Sequence, residues 1–328
     1  MPSRPNLSSS IGRLLPALAV TALLAFGAGQ AHAQRVIRII VPYATGAVQD
    51  TIARTFSSEL GQALGANVIV ENRAGAGGTV GTAMVAKAAP DGNTLVLAAA
   101  SHNIAGHLYA KLPYDTRKDF VGVASVGNAG YVLMVSSALG AATTADFIRE
   151  VKANPGRYNY ASAGNGSATH LAMAAFLAKA GLQMTHIPMK STGEAVNEVL
   201  AGRVQAVISS SIGVIGLQND ARVKSLASTG RRRSPFLPNL PTVEESGLPG
   251  YDFDSWIGLL APAGMPKAEI DRINAAVNQV MAEPAMKERF TRLGVEPRTS
   301  SAEEFQKLLR ADYDTMGAVV KASGARID

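Results

Sequence analysis

Two stretches of small and polar residues carry the chemistry this chain offers: Pro42-Tyr43-Ala44-Thr45-Gly46-Ala47-Val48-Gln49 and Ser162-Ala163-Gly164-Asn165-Gly166-Ser167-Ala168-Thr169-His170. Each lies between an expected strand and an expected helix, so the first amides of that helix point at whatever occupies the loop. In an open parallel sheet such loops sit at the carboxyl edge, where ligands bind. The small residues of the second loop expose backbone amides, and Ser162, Ser167 and Thr169 add hydroxyl donors. Asp50 is expected to cap the helix after the first loop and to pair with Arg54, four residues on. This is chemistry for holding an anion, and two such loops facing each other suit a ligand with an anionic group at each end. A helix N-terminus contributes about 0.3–1 kcal/mol to an exposed anion and up to ~2 kcal/mol when partly buried, and hydrogen bonds to a charged group add about 1.5–3 kcal/mol each. Several donors on two loops can supply the roughly 8 kcal/mol of micromolar binding without a catalytic group. The alternative for either loop is an ordinary strand-to-helix connection.

Signatures of enzymes are missing. No G-x-S-x-G elbow occurs, because Gly164-Asn165-Gly166-Ser167-Ala168-Thr169 lacks the glycines around its serine. Val80 occupies the third glycine position of a would-be G-x-G-x-x-G at Gly75, Gly77, Gly78 and Gly81, and no G-K-[ST] occurs. His102, His107, His170 and His186 show no i, i+4 pair and no H-E-x-x-H context, so no metal site is expected. With no cysteine in the chain, disulfides, thiolate metal sites and cysteine nucleophiles are excluded. A hydrolase using Ser167 or Ser162 with His170 is the remaining catalytic reading. Ser167 and His170 are three apart at one helix start, and no third orienting group is evident. No cofactor is expected.

Residues 1–33 read as a secretory signal peptide cleaved after Ala33: Arg4 and Arg13 without an acid, an apolar run from Leu14 to Ala28, and the small-x-small end Ala31-His32-Ala33. The run is short for a membrane span, which needs roughly 20 residues, and it contains Pro16. No cysteine at the cleavage site could take a lipid, so a free, monomeric, periplasmic protein is expected. Cleavage removes 33 of 328 residues and two of the charges behind a formal +6, which leaves enough chain for one large core or two smaller ones. The triplet Arg231-Arg232-Arg233 lies in a Pro-rich segment without interleaved aromatics and reads as a solvated loop, so no nucleic-acid partner is expected.

The elements that must position the two loops follow an α/β grammar with largely parallel strands. Strands are expected at 36–41, 67–70 and 94–99, with a helix from Asp50 whose stripe is Ile52, Phe56, Leu60 and Leu64 and another after the Gly-rich turn at 74–81. Further strands are expected near 131–135, 158–161, 184–188, 204–208, 223–227 and 256–261. Helices are expected to start near Thr144, Ser167, Gly193, Val214 and Pro266, and a last one to run from Ala302 to Ser323. Pattern alone leaves one continuous α/β domain and two lobes with a cleft both open.

The chain resembles the Bug family, the TctC-like extracytoplasmic solute receptors of tripartite tricarboxylate transporters, across essentially all of the mature length. Val41-Pro42-Tyr43 through Asp50 and Ala53-Arg54 is similar to the family's V-P-[FY]-x-P-G-G-x-x-D-x-x-A-R, and Glu71-Asn72-Arg73-Ala74-Gly75-Ala76-Gly77-Gly78 with Gly81 to its E-N-R-x-G-A-G-G-x-x-G turn. Leu112-Pro113-Tyr114-Asp115, Ser162-Ala163-Gly164 to His170-Leu171, His186-Ile187-Pro188-Met189-Lys190, Pro241-Thr242-Val243-Glu244-Glu245-Ser246-Gly247 and Ala261-Pro262-Ala263-Gly264-Met265-Pro266 follow in order. The resemblance implies an α/β, two-lobed periplasmic-binding-protein fold (Venus flytrap, type II) closing on a carboxylate, with lobe 1 over 34–132, lobe 2 over 133–250, and a return to lobe 1 with a helical tail over 251–328. It nominates as ligand-binding Tyr43, Ala44, Thr45, Gly46, Ala47 and Val48 on one side and Ser162, Ala163, Gly164, Ser167 and Thr169 on the other. Ser101, His102 and Trp256 complete the set. The implied partners are a small carboxylate and the membrane permease subunits that receive it. A co-receptor presenting ligand to a membrane sensor kinase is the second reading.

Departures from the family pattern bear on the ligand. Thr45 replaces a proline, Ala47 and Val48 follow Gly46 where small residues are usual, Met189-Lys190-Ser191 replaces Y-K-G, and Ala206 stands where an acid is often found. Added methyls and a missing acid suit a carboxylate without an amine, such as the aromatic diacid terephthalate. The alternative is that these changes only retune packing.

Overall fold

The computed structural model describes residues 34–327, so the expected leader lies outside the described residues. Strand β1 (Val36–Val41) sends Ile37, Ile39 and Val41 to one face of a sheet and Ile40 to the other. Its carboxyl half, Ile39-Ile40-Val41, is covered on both faces and reads as an apolar run, while Val36 and Arg38 at its start are exposed. Helix α1 (Val48–Leu64) starts at Val48 rather than Asp50 and buries Ile52, Phe56 and Leu60. With β2 (Asn67–Asn72), α2 (Thr79–Ala86) and β3 (Thr94–Ala99) it forms the βαβαβ unit, in which β1 lies parallel between β2 and β3.

Helix α3 (Ser101–Leu108) and strand β4 (Phe120–Asn128) are among the elements that escape the sequence pattern. SHNIAGHL mixes polar residues with a glycine, and Gly122 and Gly127 interrupt β4, so neither shows a clean period. At Ala129-Gly130 the chain crosses into a second sheet. That part comprises β5 (Tyr131–Ser136), α4 (Thr144–Ala153), β6 (Asn159–Ser162), α5 (Ala168–Ala180), β7 (Thr185–Pro188), α6 (Thr192–Leu200), β8 (Ala206–Ser210), α7 (Ser211–Val214) and β9 (Val223–Ser228). The helix expected to begin near Val214 is α7, which ends there. The chain returns through β10 (Ile257–Pro262) and finishes with α8 (Lys267–Ala282), α9 (Pro284–Arg292), β11 (Glu296–Pro297) and α10 (Ala302–Ser323).

The sheet orders are β11-β4-β10-β3-β1-β2 and β7-β6-β8-β5-β9. Largely parallel pairing therefore needs correction: β10 runs antiparallel to β3 and β4, and β5 antiparallel to β8 and β9. These are the two strands by which the chain enters one sheet from the other. A fully buried strand carries no mark of its direction in its residues.

Both sheets are covered on both faces, giving two α/β lobes. One face of the first packs on α1, α8 and α9 through Phe56, Val277 and Phe290, and the other on α2 and the start of α10 through Val85, Phe305 and Leu309. The second sheet packs on α4, α5 and the end of α10 through Phe147, Phe176, Met316 and Val320, and on α6 and α7 through Val199 and Val214. One stripe of α10 thus serves both cores. That helix opens in a capping box between Ser301 and Glu304.

Gly258 of β10 lies under α10, and a Cβ there would come within 2.3 Å of Phe305 Cζ and 2.7 Å of the Ala124 carbonyl oxygen. Backbone cannot yield as a side chain can, so Gly258→Ala is expected to lower the unfolding free energy by about 1–3 kcal/mol. Urea unfolding checks this, and an unchanged midpoint would contradict the packing.

Candidate functional site

The first loop is organised by a buried carboxylate. Asp50 is the third residue of α1, behind an N-cap at Ala47 that offers no side-chain cap, so the expected capping role is corrected. Its Oδ2 instead accepts the Gly46 amide at 2.9 Å, while Oδ1 accepts Arg54 Nε at 2.9 Å and Asn72 Nδ2 at 3.0 Å. Asn72 also donates to the Tyr43 carbonyl at 3.1 Å, and its Oδ1 accepts Arg54 Nη2 at 2.9 Å and the Thr45 hydroxyl at 3.3 Å. Burial alone would raise the Asp50 pKa, but the Gly46 amide, Asn72 and Arg54 outweigh it and hold the group below the usual carboxylate range. Tyr43, whose pKa is raised by burial, hydrogen-bonds through its hydroxyl to Ser101 Oγ at 2.8 Å, which ties the loop to the first residue of α3. Ala44, Thr45, Gly46 and Val48 are exposed. Among the described residues, the amides of Val48, Gln49 and Asp50 have no partner.

The second loop uses its side chains differently from expectation. Ser162 is fully buried; its Oγ accepts the Gly164 amide at 3.1 Å and lies 2.6 Å from His186 Nε2. Thr169 Oγ1 accepts the Ala163 amide at 2.9 Å, and Ser167, the N-cap of α5, accepts the His170 amide at 3.2 Å and pairs with Thr169 Oγ1 at 3.0 Å. The Gly166 amide donates to His170 Nδ1 at 3.1 Å. The hydroxyls expected to meet a ligand therefore hold their own loop. The amides of Asn165, Ala168 and Thr169 are left without a partner among the described residues.

Helix α3 links the two loops. Ser101 at its start bonds Tyr43, and Leu108 at its end meets Gly166, where a Cβ would lie 2.1 Å from Leu108 Cδ2. Tyr109, the next residue, donates its hydroxyl to the Ala76 carbonyl of the Gly-rich turn at 3.0 Å.

Three expectations fail on orientation. His102 turns into the first lobe, where Nε2–H donates to the Thr116 carbonyl at 3.1 Å, the ring meets Phe120 edge-on, and burial brings its pKa down to about 4. Trp256 packs edge-to-face on Phe305 and donates its indole N–H to Asp312 Oδ2 at 2.9 Å, so neither ring reaches the loops. Ala206 is buried at the amino end of β8, opposite the loop end of that strand, so an acid missing there leaves the loops unchanged.

Sequence reasoning missed Asn72, Leu108 and His186. Asn72 and His186 stand inside quoted motifs, but only the fold brings them to the loops. The Ser162–His186 contact is the nearest approach to a nucleophile and base. Ser162 is wholly buried and accepts a backbone amide, and His186 stacks on His170 and Tyr160 at 4.0 and 4.9 Å with no carboxylate among the described residues bonded to it. That arrangement supports a loop and lacks the orienting acid of a triad.

Two α/β lobes joined by a shared helix, each with a strand-to-helix loop that leaves amides unpaired among the described residues, have the architecture of the periplasmic-binding-protein fold. Residues 52–325 match the tripartite tricarboxylate transporter family receptor, TctC, and the chain belongs to that family. It is 32% identical over 295 residues to the protein BugT of Bordetella pertussis, covering 89% of this chain and 90% of BugT. Among solved structures it is similar to an R. palustris protein with adipate (27% identity, TM-score 0.79, 90% of this chain and 100% of the other). It is also similar to MatC of Rhodopseudomonas palustris with bound malate (29% identity, TM-score 0.75, 87% and 99%).

Gly164 has φ +112 and a space for Cβ only 3.3 Å from the Met189 carbonyl oxygen. Gly164→Val is expected to fold with a stability loss of about 1–3 kcal/mol and to weaken ligand binding at least tenfold, read by calorimetry on the folded variant. Unchanged affinity would move the site elsewhere.

Proposed function

We propose that this receptor captures a small organic dicarboxylate or tricarboxylate in the periplasm and delivers it to the membrane permease of a tripartite tricarboxylate transporter. The observation that carries the reading is the pair of unpaired amide sets, Val48 to Asp50 and Asn165, Ala168 and Thr169, on loops anchored at opposite ends of α3. An eight-residue helix is about 12 Å long, which leaves room for a diacid with bridging waters at its ends. Neither loop contains Lys or Arg, so the positive ends of α1 and α5 are the attraction offered to each carboxylate. Adipate and malate, the ligands of two similar receptors, are diacids without an amine.

The ligand we favour is a diacid with an apolar or aromatic body, such as terephthalate. Thr45, Ala47 and Val48 support this by placing methyl groups beside the free amides, and Val48 is 38% exposed there. The ligand body then meets carbon where a glycine-rich loop would present backbone.

Purified receptor should be screened by thermal shift and calorimetry against terephthalate, adipate, malate, citrate, glutamate and aspartate, after N-terminal sequencing shows Gln34 as the first residue. A ligand at 100 times its Kd stabilises by about 2.7 kcal/mol, so a micromolar diacid gives a clear shift. A strong response to glutamate or aspartate with the amine-free diacids inert would overturn the assignment.

A further inference from the structure

We propose that His170 is the positioning residue of the second loop, which presents its amides only while that imidazole keeps a bare Nδ1. The inference rests on the ligand reading of residues 163–169. His170 grips the loop twice: its backbone amide bonds Ser167 Oγ at 3.2 Å, and its Nδ1 accepts the Gly166 amide at 3.1 Å. Gly166 needs that hold, since it sits at φ +73 against Leu108 and has no side chain of its own to pack. Behind it the rings form a stack: His170 on His186 with centroids 4.0 Å apart, and His186 on Tyr160 at 4.9 Å. His186 meets Ser162, whose Oγ takes the Gly164 amide, so the stack supports the loop at both Gly164 and Gly166.

An imidazole that accepts at Nδ1 carries its hydrogen on Nε2. A proton added at Nδ1 would set N–H against N–H at Gly166 and place a cation on a stacked ring. The rings facing His170, His186 of β7 and Tyr160 of β6, offer no compensation, and the one neighbouring charge that bears on its titration, His186, opposes a proton there. Burial, followed by the neighbouring His186, brings the His170 pKa down to about 4. Burial lowers His186 as well. The stabilisation from this neutral ring is full above the ordinary imidazole range near ~6.5, and it drains as pH falls from there toward about 4. Acidification is thus expected to release the loop by breaking the Gly166 bond.

The test uses the 15N-labelled mature receptor. At pH 7.5 the ring nitrogen shifts of His170 should report the Nε2–H form and the Gly166 amide should resist exchange; both signals should change with one midpoint on acidification. In His170→Asn, whose side-chain carbonyl can accept the Gly166 amide but does not titrate, that amide should stay protected through the same range. In His170→Leu it should be unprotected at every pH. With adipate as probe at pH 7.5, His170→Asn should bind within about threefold of wild type and His170→Leu at least tenfold more weakly. A hydrogen on Nδ1 at pH 7.5, a Gly166 signal indifferent to the His170 titration, or equal protection in the Asn and Leu variants would overturn the proposal. Failure of wild type to bind adipate or any diacid would count against the ligand reading, while the Gly166 signals would still decide the role of His170.

Discussion

One half-buried carboxylate of α10 ties that helix both to α3 and to the residue before β10. Asp312 of α10 accepts the Trp256 indole N–H at 2.9 Å and the Asn103 side-chain amide at 2.7 Å on the same oxygen, and Asn103 also donates to the Leu309 carbonyl at 2.9 Å. Burial raises the Asp312 pKa, the two donors pull it back, and Asp254 and Asp252 add to the rise. Buried polar groups need partners, so these bonds hold α3 to one place on α10. Because α3 carries Ser101 at one end and Leu108 at the other, that choice also sets where the Tyr43 loop and the Gly166 loop stand.

The two loops share a division of labour. Their side chains bond inward, Asp50 and Asn72 in the first and Ser162, Ser167, Thr169 and His170 in the second, while the helix-start amides are left for the outside. A side chain that met the ligand would have to give up a bond holding the loop. An amide at the first turn of a helix has no intrahelical partner to lose. On the proposed reading these amides would meet negative charge through the helix dipoles, and exposed residues such as Val48 would face the ligand body.

Much of the chain was legible. The two loops, most of the strands, the buried stripe of α1 and the bounds of α10 follow from period and caps, because these signals lie within a few residues of each other. Asp50 and Arg54 pair as their spacing requires. Less was legible wherever the partner is distant. α3 is amphipathic only with respect to two cores at once, so its residues show no single apolar face, with Ile104 and Leu108 in one cluster while His102 turns toward Tyr114 and Phe120. The reversal of β5 and β10 is invisible for a related reason: burial on both faces selects the same residues whichever way the strand runs.

The sequence by itself determined where free amides could arise, because a strand, a short loop of small residues and a helix start are local facts. Only the tertiary structure decided which donors remain free. Ser162, Ser167 and Thr169 look like ligand donors in the sequence, and His102 and Trp256 stand beside them among the nominated ligand-binding residues. Their partners are the amides of a loop bent back on them, a carbonyl at Thr116 and a carboxylate at Asp312. A hydrogen-bonding group is available only if nothing nearer satisfies it, and what is nearer is set by the fold.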